Sequence, residues 1–216
     1  MKKSSDKKEL ILDALKELMS DVSYKDISVS DIASKAGIGK GSIYYYFDSK
    51  DEMLHEIIER SYHTAINKYL DSAESSMNAL EKIKHLFCSL IMKEFGDSER
   101  NFIVALIPDD DMLLQNMLKY IAIKEISPIL GDILEQGIEE GTISTDTPRE
   151  SAEIIIAMLT FLLDYAVFPK DGSDGFEKKL KIFAGVLETC LRTKPGGFDF
   201  LLDINGQYNI RKVNSK

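Results

Sequence analysis

No uninterrupted apolar run in this 216-residue chain is long enough to span a membrane as a helix. The basic opening, Met1 to Lys8, lacks the apolar stretch and cleavage site that make a signal peptide, and reads as a short arm. There are two cysteines, Cys88 and Cys190, without C-x-x-C spacing, so a reduced, cytoplasmic setting is expected. No glycine-rich phosphate loop is present. His55-Glu56-Ile57-Ile58-Glu59 lacks the second histidine of a zinc-protease helix, which removes that chemistry. His55, Glu59 and His63 fall on one helix face, and His85 and Cys88 stand three apart. Metal-ligand spacing permits either, but surface histidines at helical spacing are common, and no metal is assigned. Cys88 and His85 have no third orienting group or oxyanion device, so no catalytic site and no cofactor are assigned.

Against these absences stands residues 28–54, Ser-Val-Ser-Asp-Ile-Ala-Ser-Lys-Ala-Gly-Ile-Gly-Lys-Gly-Ser-Ile-Tyr-Tyr-Tyr-Phe-Asp-Ser-Lys-Asp-Glu-Met-Leu. Ser28 with Asp31 predicts an N-cap of the capping-box kind before an inner face of Ile32 and Ala33. Gly37 suits a left-handed helix end, with Ile38 as a plug behind it. A second helix starts near Gly39, and Ile43 and Phe47, four apart, turn inward. Ser49 and Glu52 predict a further capped start, with Lys50 in its first turn. Helix, glycine turn and second helix in this order are how a helix-turn-helix offers a short helix to the DNA major groove.

The outward face suits DNA. Lys40 can neutralise a phosphate or donate to a guanine edge. Gly41 lets the backbone approach bases closely. Ser42 can hydrogen-bond a base or the backbone, Tyr44 offers a ring for apolar contact, and Tyr45 offers a hydroxyl to a phosphate. Consecutive helical residues lie about 100° apart, so Tyr44, Tyr45 and Tyr46 cannot all share a buried face, and Tyr46 is the one expected to be partly core. Lys50 opposes the dipole of its helix, and beside free N–H groups it would seat a phosphate; the alternative is an exposed lysine with screened repulsion.

Residues 8–66 closely resemble the TetR family of bacterial transcriptional regulators, with Leu10, Ile11, Ala14, Leu15, Leu18 and Met19 as its first helix. The resemblance implies that Ser28 and Ser30 approach the DNA backbone at the start of the second helix. It implies that Lys40, Gly41, Tyr44 and Tyr45 lie on the recognition helix, that Tyr46 is close to the phosphates, and that Lys50 supports phosphate binding. Two departures stand out: Ser23-Tyr24 where Gly-Tyr is frequent, and Val29 where threonine is frequent.

A net charge of −9 looks unfavourable for nucleic acid, but its distribution is not. Residues 1–50 hold nine Lys and Arg against eight Asp and Glu, leaving about −10 on the remainder. A local basic face is what specific binding requires.

Beyond residue 55 the pattern is helical throughout, with segments expected at 50–72, 76–95, 99–107, 110–126, 127–140, 148–168 and 174–193. Pro128 is expected to kink or restart a helix, Gly137 and Gly141 to end it, and Thr147-Pro148 to cap the next. The fold expected is all-α: a three-helix helix-turn-helix domain over 1–50, a helical effector-binding and dimerisation domain over 51–194, and an extension of unassigned role over 195–216. That extension is too apolar at Phe198, Phe200, Leu201, Leu202 and Ile204 for a free tail.

The last two long helices carry broad apolar faces, Ile155, Met158, Leu159, Leu162, Leu163 and Ala166, then Leu180, Phe183, Ala184, Leu187 and Leu191. One chain would struggle to cover both, and a two-fold homodimer would let two recognition helices read a palindrome. In the family, a small molecule entering the C-terminal domain releases the operator. Candidate lining residues for that effector are Phe87, Met92, Phe95, Phe102, Met117, Tyr120, Phe161, Asp164 and Tyr165, with Asp164 suited to a cation or to an interface hydrogen bond. The resemblance therefore implies a repressor whose partners are double-stranded operator DNA, an effector and a second copy of itself, with no membrane role. Two other classes remain open: a helical-bundle enzyme, marked by turnover without DNA binding, and a helical protein-binding adaptor, marked by no sequence-selective DNA shift.

Overall fold

The computed structural model describes residues 2–72, 76–91, 112–164 and 173–203. Its elements are α1 (Lys2–Asp21), a 3-10 turn (Tyr24–Asp26), α2 (Val29–Lys35), α3 (Lys40–Ile43), α4 (Lys50–Ser72) and α5 (Ala79–Ile91). After these come α6 (Met112–Glu139), α7 (Pro148–Leu162), α8 (Ser173–Leu191) and α9 (Phe200–Asp203). The fold is all-α, and no strand occurs among the described residues.

Two apolar clusters organise it. The first gathers Ile11, Leu12 and Leu15 of α1, Ile32 and Ala33 of α2, Ile43 of α3, Phe47, and Met53, Leu54, Ile57 and Ile58 of α4. Leu114, Leu118 and Ile121 of α6 complete it. The second takes the rest of α6, from Ala122 to Leu134, with α5, α7, α8 and the segment after α8. Tyr62 packs against both clusters, and burial pushes its phenol up well beyond the ordinary value. Arg60 fastens α4 to α1: its two terminal nitrogens reach Glu9 at 2.5 Å and Asp13 at 2.7 Å. Burial opposes the Arg60 charge, but these two carboxylates outweigh it and raise its pKa.

Several expectations are corrected. Pro128 does not restart a helix, because α6 runs continuously through it. On either side of Pro128, Ile126 and Leu130 are buried in the second cluster, and this burial outweighs the lost backbone bond. Only Gly141, at φ 69°, is in the left-handed region at the helix end. Gly137 lies inside α6, where a Cβ would stand 2.5 Å from Ile143 Cδ1 and 3.0 Å from the Ala79 Cβ, so close packing requires glycine. Thr147 occupies the N-cap of α7 without a side-chain bond, while Pro148 sits in the first turn as expected. The segment expected at 99–107 lies outside the described residues, as do the ends of those expected at 76–95 and 148–168.

Behind α8, Arg192 at φ 48° and Gly196 at φ 85° turn the chain, and the Gly196 N–H donates to Glu188 Oε1 at 2.7 Å. Phe198 and Leu201 are buried in the second cluster, where the Phe200 ring lies 6.3 Å from that of Phe87. Phe198, Phe200, Leu201 and Leu202 thus belong to the core, and Ile204 lies outside the described residues.

Candidate nucleic-acid interface

The reading head forms where short-range signals agree. Ser28 caps α2: its hydroxyl accepts from the Asp31 N–H at 3.2 Å, and the Asp31 carboxylate accepts from the Ser28 N–H at 2.8 Å and its hydroxyl at 2.6 Å. These bonds, the hydroxyl's first, hold the Asp31 carboxyl below its ordinary range. Gly37, at φ 66°, turns the chain out of α2, and the Ile38 N–H closes back on the Ala33 carbonyl at 3.0 Å. Ile38 is half-buried against the first cluster.

The second helix of the motif is shorter than expected. It covers Lys40–Ile43, and Tyr44, Tyr45 and Tyr46 form the turn that follows. Ile43 and Phe47 are buried, as their spacing predicts. Lys40 and Gly41 are exposed, Ser42 is half-buried, and a Cβ at Gly41 would meet nothing within 4 Å. Tyr44 is 52% exposed and Tyr45 is 81% exposed, whereas Tyr46 is half-buried, edge-on to Tyr45 at 5.1 Å. Two large rings held in water have no packing role to explain them. Ser30 is also exposed.

Lys50 stands in the first turn of its helix, the position expected for it. Its ammonium donates to the Tyr24 carbonyl at 2.7 Å and the Ile27 carbonyl at 2.8 Å, and lies 4.1 Å from the Tyr24 ring centroid. The Tyr24 hydroxyl donates to Asp51 at 2.6 Å. The partners of Lys50 are 26 and 23 residues away, which no local pattern signals.

The residues expected to need a second subunit are largely covered within the chain. Ile155, Leu159, Leu162, Leu180, Phe183, Ala184, Leu187 and Leu191 are buried in the second cluster. One chain thus covers most of the two faces it was expected to struggle with; Met158 and Leu163 are half-buried and Ala166 lies outside the described residues. The apolar surface left in water lies on other faces: Ile154 is 62% exposed, Phe161 45% and Ile182 67%. Ile154, Ala157, Met158 and Phe161 stand at i, i+3, i+4 and i+7 along α7. The Ser144 N–H donates to the Leu191 carbonyl at 2.8 Å, so the end of α8 lies by the approach to α7.

Among the described residues, those expected to line the effector site are dispersed. Phe87 is core, its ring stacked on Phe183 at 6.4 Å. Met117 packs on the first cluster, and Tyr120 is 60% exposed beside His55. Phe161 and Asp164 do meet, through a residue the sequence reading missed: Lys119 pairs with Asp164 and lies 5.0 Å from the Phe161 ring centroid. Met92, Phe95, Phe102 and Tyr165 lie outside the described residues. Among those described, no group of three metal-ligating side chains is present, and no helix is long and apolar enough to cross a membrane.

Residues 11–57 match the family model described as bacterial regulatory proteins, tetR family, and residues 100–186 match a tetracyclin repressor-like C-terminal domain. The chain is 34% identical over 124 residues to the transcriptional repressor KstR2 of Mycobacterium tuberculosis, covering 55% of this chain and 60% of that repressor's length. It is 28% identical over 147 residues to the fatty acid metabolism regulator protein of Bacillus subtilis, covering 66% and 74% of the two chains. In overall fold it resembles RolR in complex with resorcinol, with a TM-score of 0.63 at 15% identity over 95% of this chain and 96% of that one.

Proposed function

The chain belongs to the tetR family of bacterial regulatory proteins, and from that premise we propose that it is a DNA-binding transcriptional repressor. It acts in the cytoplasm as a homodimer on a palindromic operator and leaves it when a small molecule binds the C-terminal half. The observation that carries this reading is the outer face of the motif, where Lys40, Gly41, Tyr44 and Tyr45 stand in water over a buried Ile43 and Phe47. Lys40 and Tyr45 reach phosphates, while Gly41 and Tyr44 meet base edges. Ser28, Ser30, Ser42 and Tyr46 flank them.

The exposed stripes support a second copy as partner. Ile154, Ala157, Met158 and Phe161 of α7, with Ile182, Gly185 and Val186 of α8, form an isologous contact that sets two reading heads side by side. An effector must bind the DNA-free arrangement more tightly than the DNA-bound one, or it shifts nothing. The names of the similar proteins, a fatty acid metabolism regulator and a protein in complex with resorcinol, support starting the search with fatty acids and small phenols.

Selection from random duplex DNA tests the reading. The wild type should enrich a two-fold symmetric sequence, and a Lys40→Ala, Tyr44→Ala double variant should not bind it. Enrichment of no sequence, or equal binding by the double variant, would return the adaptor reading.

A further inference from the structure

We propose that the buried pair of Lys119 and Asp164 positions the reading head relative to the dimer contact, and so sets the half-site spacing that the protein accepts; this rests on the DNA-binding and dimer readings above. The two residues join parts of the fold with different tasks. Lys119 lies on α6 between Leu118 and Ile121, which help close the core of the head. Asp164 lies just past the end of α7, the helix that leaves Ile154 and Phe161 in water. Phe161, part of that outward stripe, has its ring centroid 5.0 Å from the Lys119 ammonium. A single side chain thus meets the end of the stripe and rises from the helical turn that holds the head.

Stability alone is a poor reason for the pair. Both side chains are largely buried, and well-packed apolar groups in place of a buried ion pair are often as stable or more so. Asp164 also bears its charge at the C-terminal end of a helix, where the dipole disfavours an anion. What a buried pair supplies and an apolar contact does not is direction. A displaced charge is left without its partner, whereas apolar contact is non-directional and tolerates sliding. The other end of the α6–α7 contact is pinned more weakly. Arg149, at the start of α7, reaches Asp132 at 2.6 Å and Glu135 at 2.8 Å, but its side chain is 47% exposed and its charge is screened. The end close to the head is therefore the one where the register of α7 on α6 is held without screening.

DNA converts that register into a measurable preference. Moving two half-sites apart by one base pair shifts one of them by about 3.4 Å and turns it by about 35°. The test uses Lys119→Met combined with Asp164→Leu on three duplexes: the sequence selected by the wild type, the same half-sites one base pair further apart, and a single half-site. Affinity is counted per active dimer by stoichiometric titration. The variant should remain a folded dimer and bind the single half-site as the wild type does. Its preference for the selected spacing over the altered one should fall roughly tenfold, the scale of one charged hydrogen bond. An unchanged preference would make the pair a stability element. An equal loss on the single half-site would place the damage inside the head, and a monomeric variant would assign the pair to the dimer contact itself. Each of these overturns the proposal.

Should the double variant not fold, Asp164→Asn replaces it, keeping the shape of the side chain without its charge. The same loss of preference is expected, and an unchanged preference overturns the proposal there too. If the wild type selects no two-fold sequence, the DNA-binding reading fails, while the separation of the heads in the free dimer still judges the pair. Spin labels on Asp21→Cys, at the exposed end of α1, with Cys88→Ser and Cys190→Ser, should give a narrow distribution of distances between the two heads. Lys119→Met with Asp164→Leu should broaden that distribution, and equal widths overturn the proposal.

Discussion

Lys119 of α6 and Asp164, just past the end of α7, form an ion pair with side chains only 14% and 6% exposed. The Phe161 ring centroid lies 5.0 Å from the same ammonium. Removing one member of a buried pair strands the other charge, at a typical cost of about 3–5 kcal/mol. Asp164→Ala should therefore lower the urea midpoint clearly, while Lys119→Met with Asp164→Leu should recover most of the loss. Equal stability of the Asp164→Ala single variant and the wild type would contradict a buried pair.

Tyr44 is half in water, so Tyr44→Ala should leave thermal stability and dimer mass unchanged. Its affinity for the selected operator should fall about tenfold or more, the range of one base contact, with non-specific affinity retained. Wild-type operator affinity in this variant would remove Tyr44 from the contact set.

The Ser28–Asp31 cap gives acid sensitivity a definite sign. The folded Asp31 carboxyl lies below its ordinary value, because the Ser28 hydroxyl and then the Ser28 N–H favour the carboxylate. Its stabilisation is complete above the ordinary carboxylate range and is lost as pH falls through the lowered folded value. Wild type should be more stable than Asp31→Asn at neutral pH, with the difference shrinking to nothing in acid. A difference that ignores pH would show the charge to be irrelevant. Ser28→Ala should cost about 1 kcal/mol as an ordinary lost cap.

Charge placed on the outward stripe should separate two copies without harming one. Ile154→Glu and Ile182→Glu, at positions 62% and 67% exposed, should give folded monomers by light scattering, with operator affinity sharply reduced. Leu159→Ala in the core should instead cost about 2–5 kcal/mol of stability at unchanged oligomeric state. A dimeric Ile154→Glu, Ile182→Glu double variant would place the interface elsewhere.

What could be read in advance was local. The Ser28–Asp31 cap, the left-handed Gly37 and the inward Ile43–Phe47 pair each span a few residues, and each took its expected form. Lys50 was assigned to the right turn of the right helix, but its bonding partners come from a distant stretch of chain. Ile154, Ile155 and Ile156 show a different limit: three consecutive isoleucines mark no face, and tertiary packing buries the second and third while leaving the first in water. At Pro128 a strong local breaker gave way to burial on both sides. Lys119 gave no signal, since its counter-charge belongs to the end of another helix.

Because α6 contributes Leu114, Leu118 and Ile121 to one core and Ala122 to Leu134 to the other, the head is no detachable module. A chimera that grafts residues 1–58 onto a relative's body would leave Ile57, Ile58 and their neighbours without the α6 side chains that close over them. Exchanging operator specificity between relatives thus requires transplanting a strip of α6 along with the head, although more than fifty residues of chain lie between them.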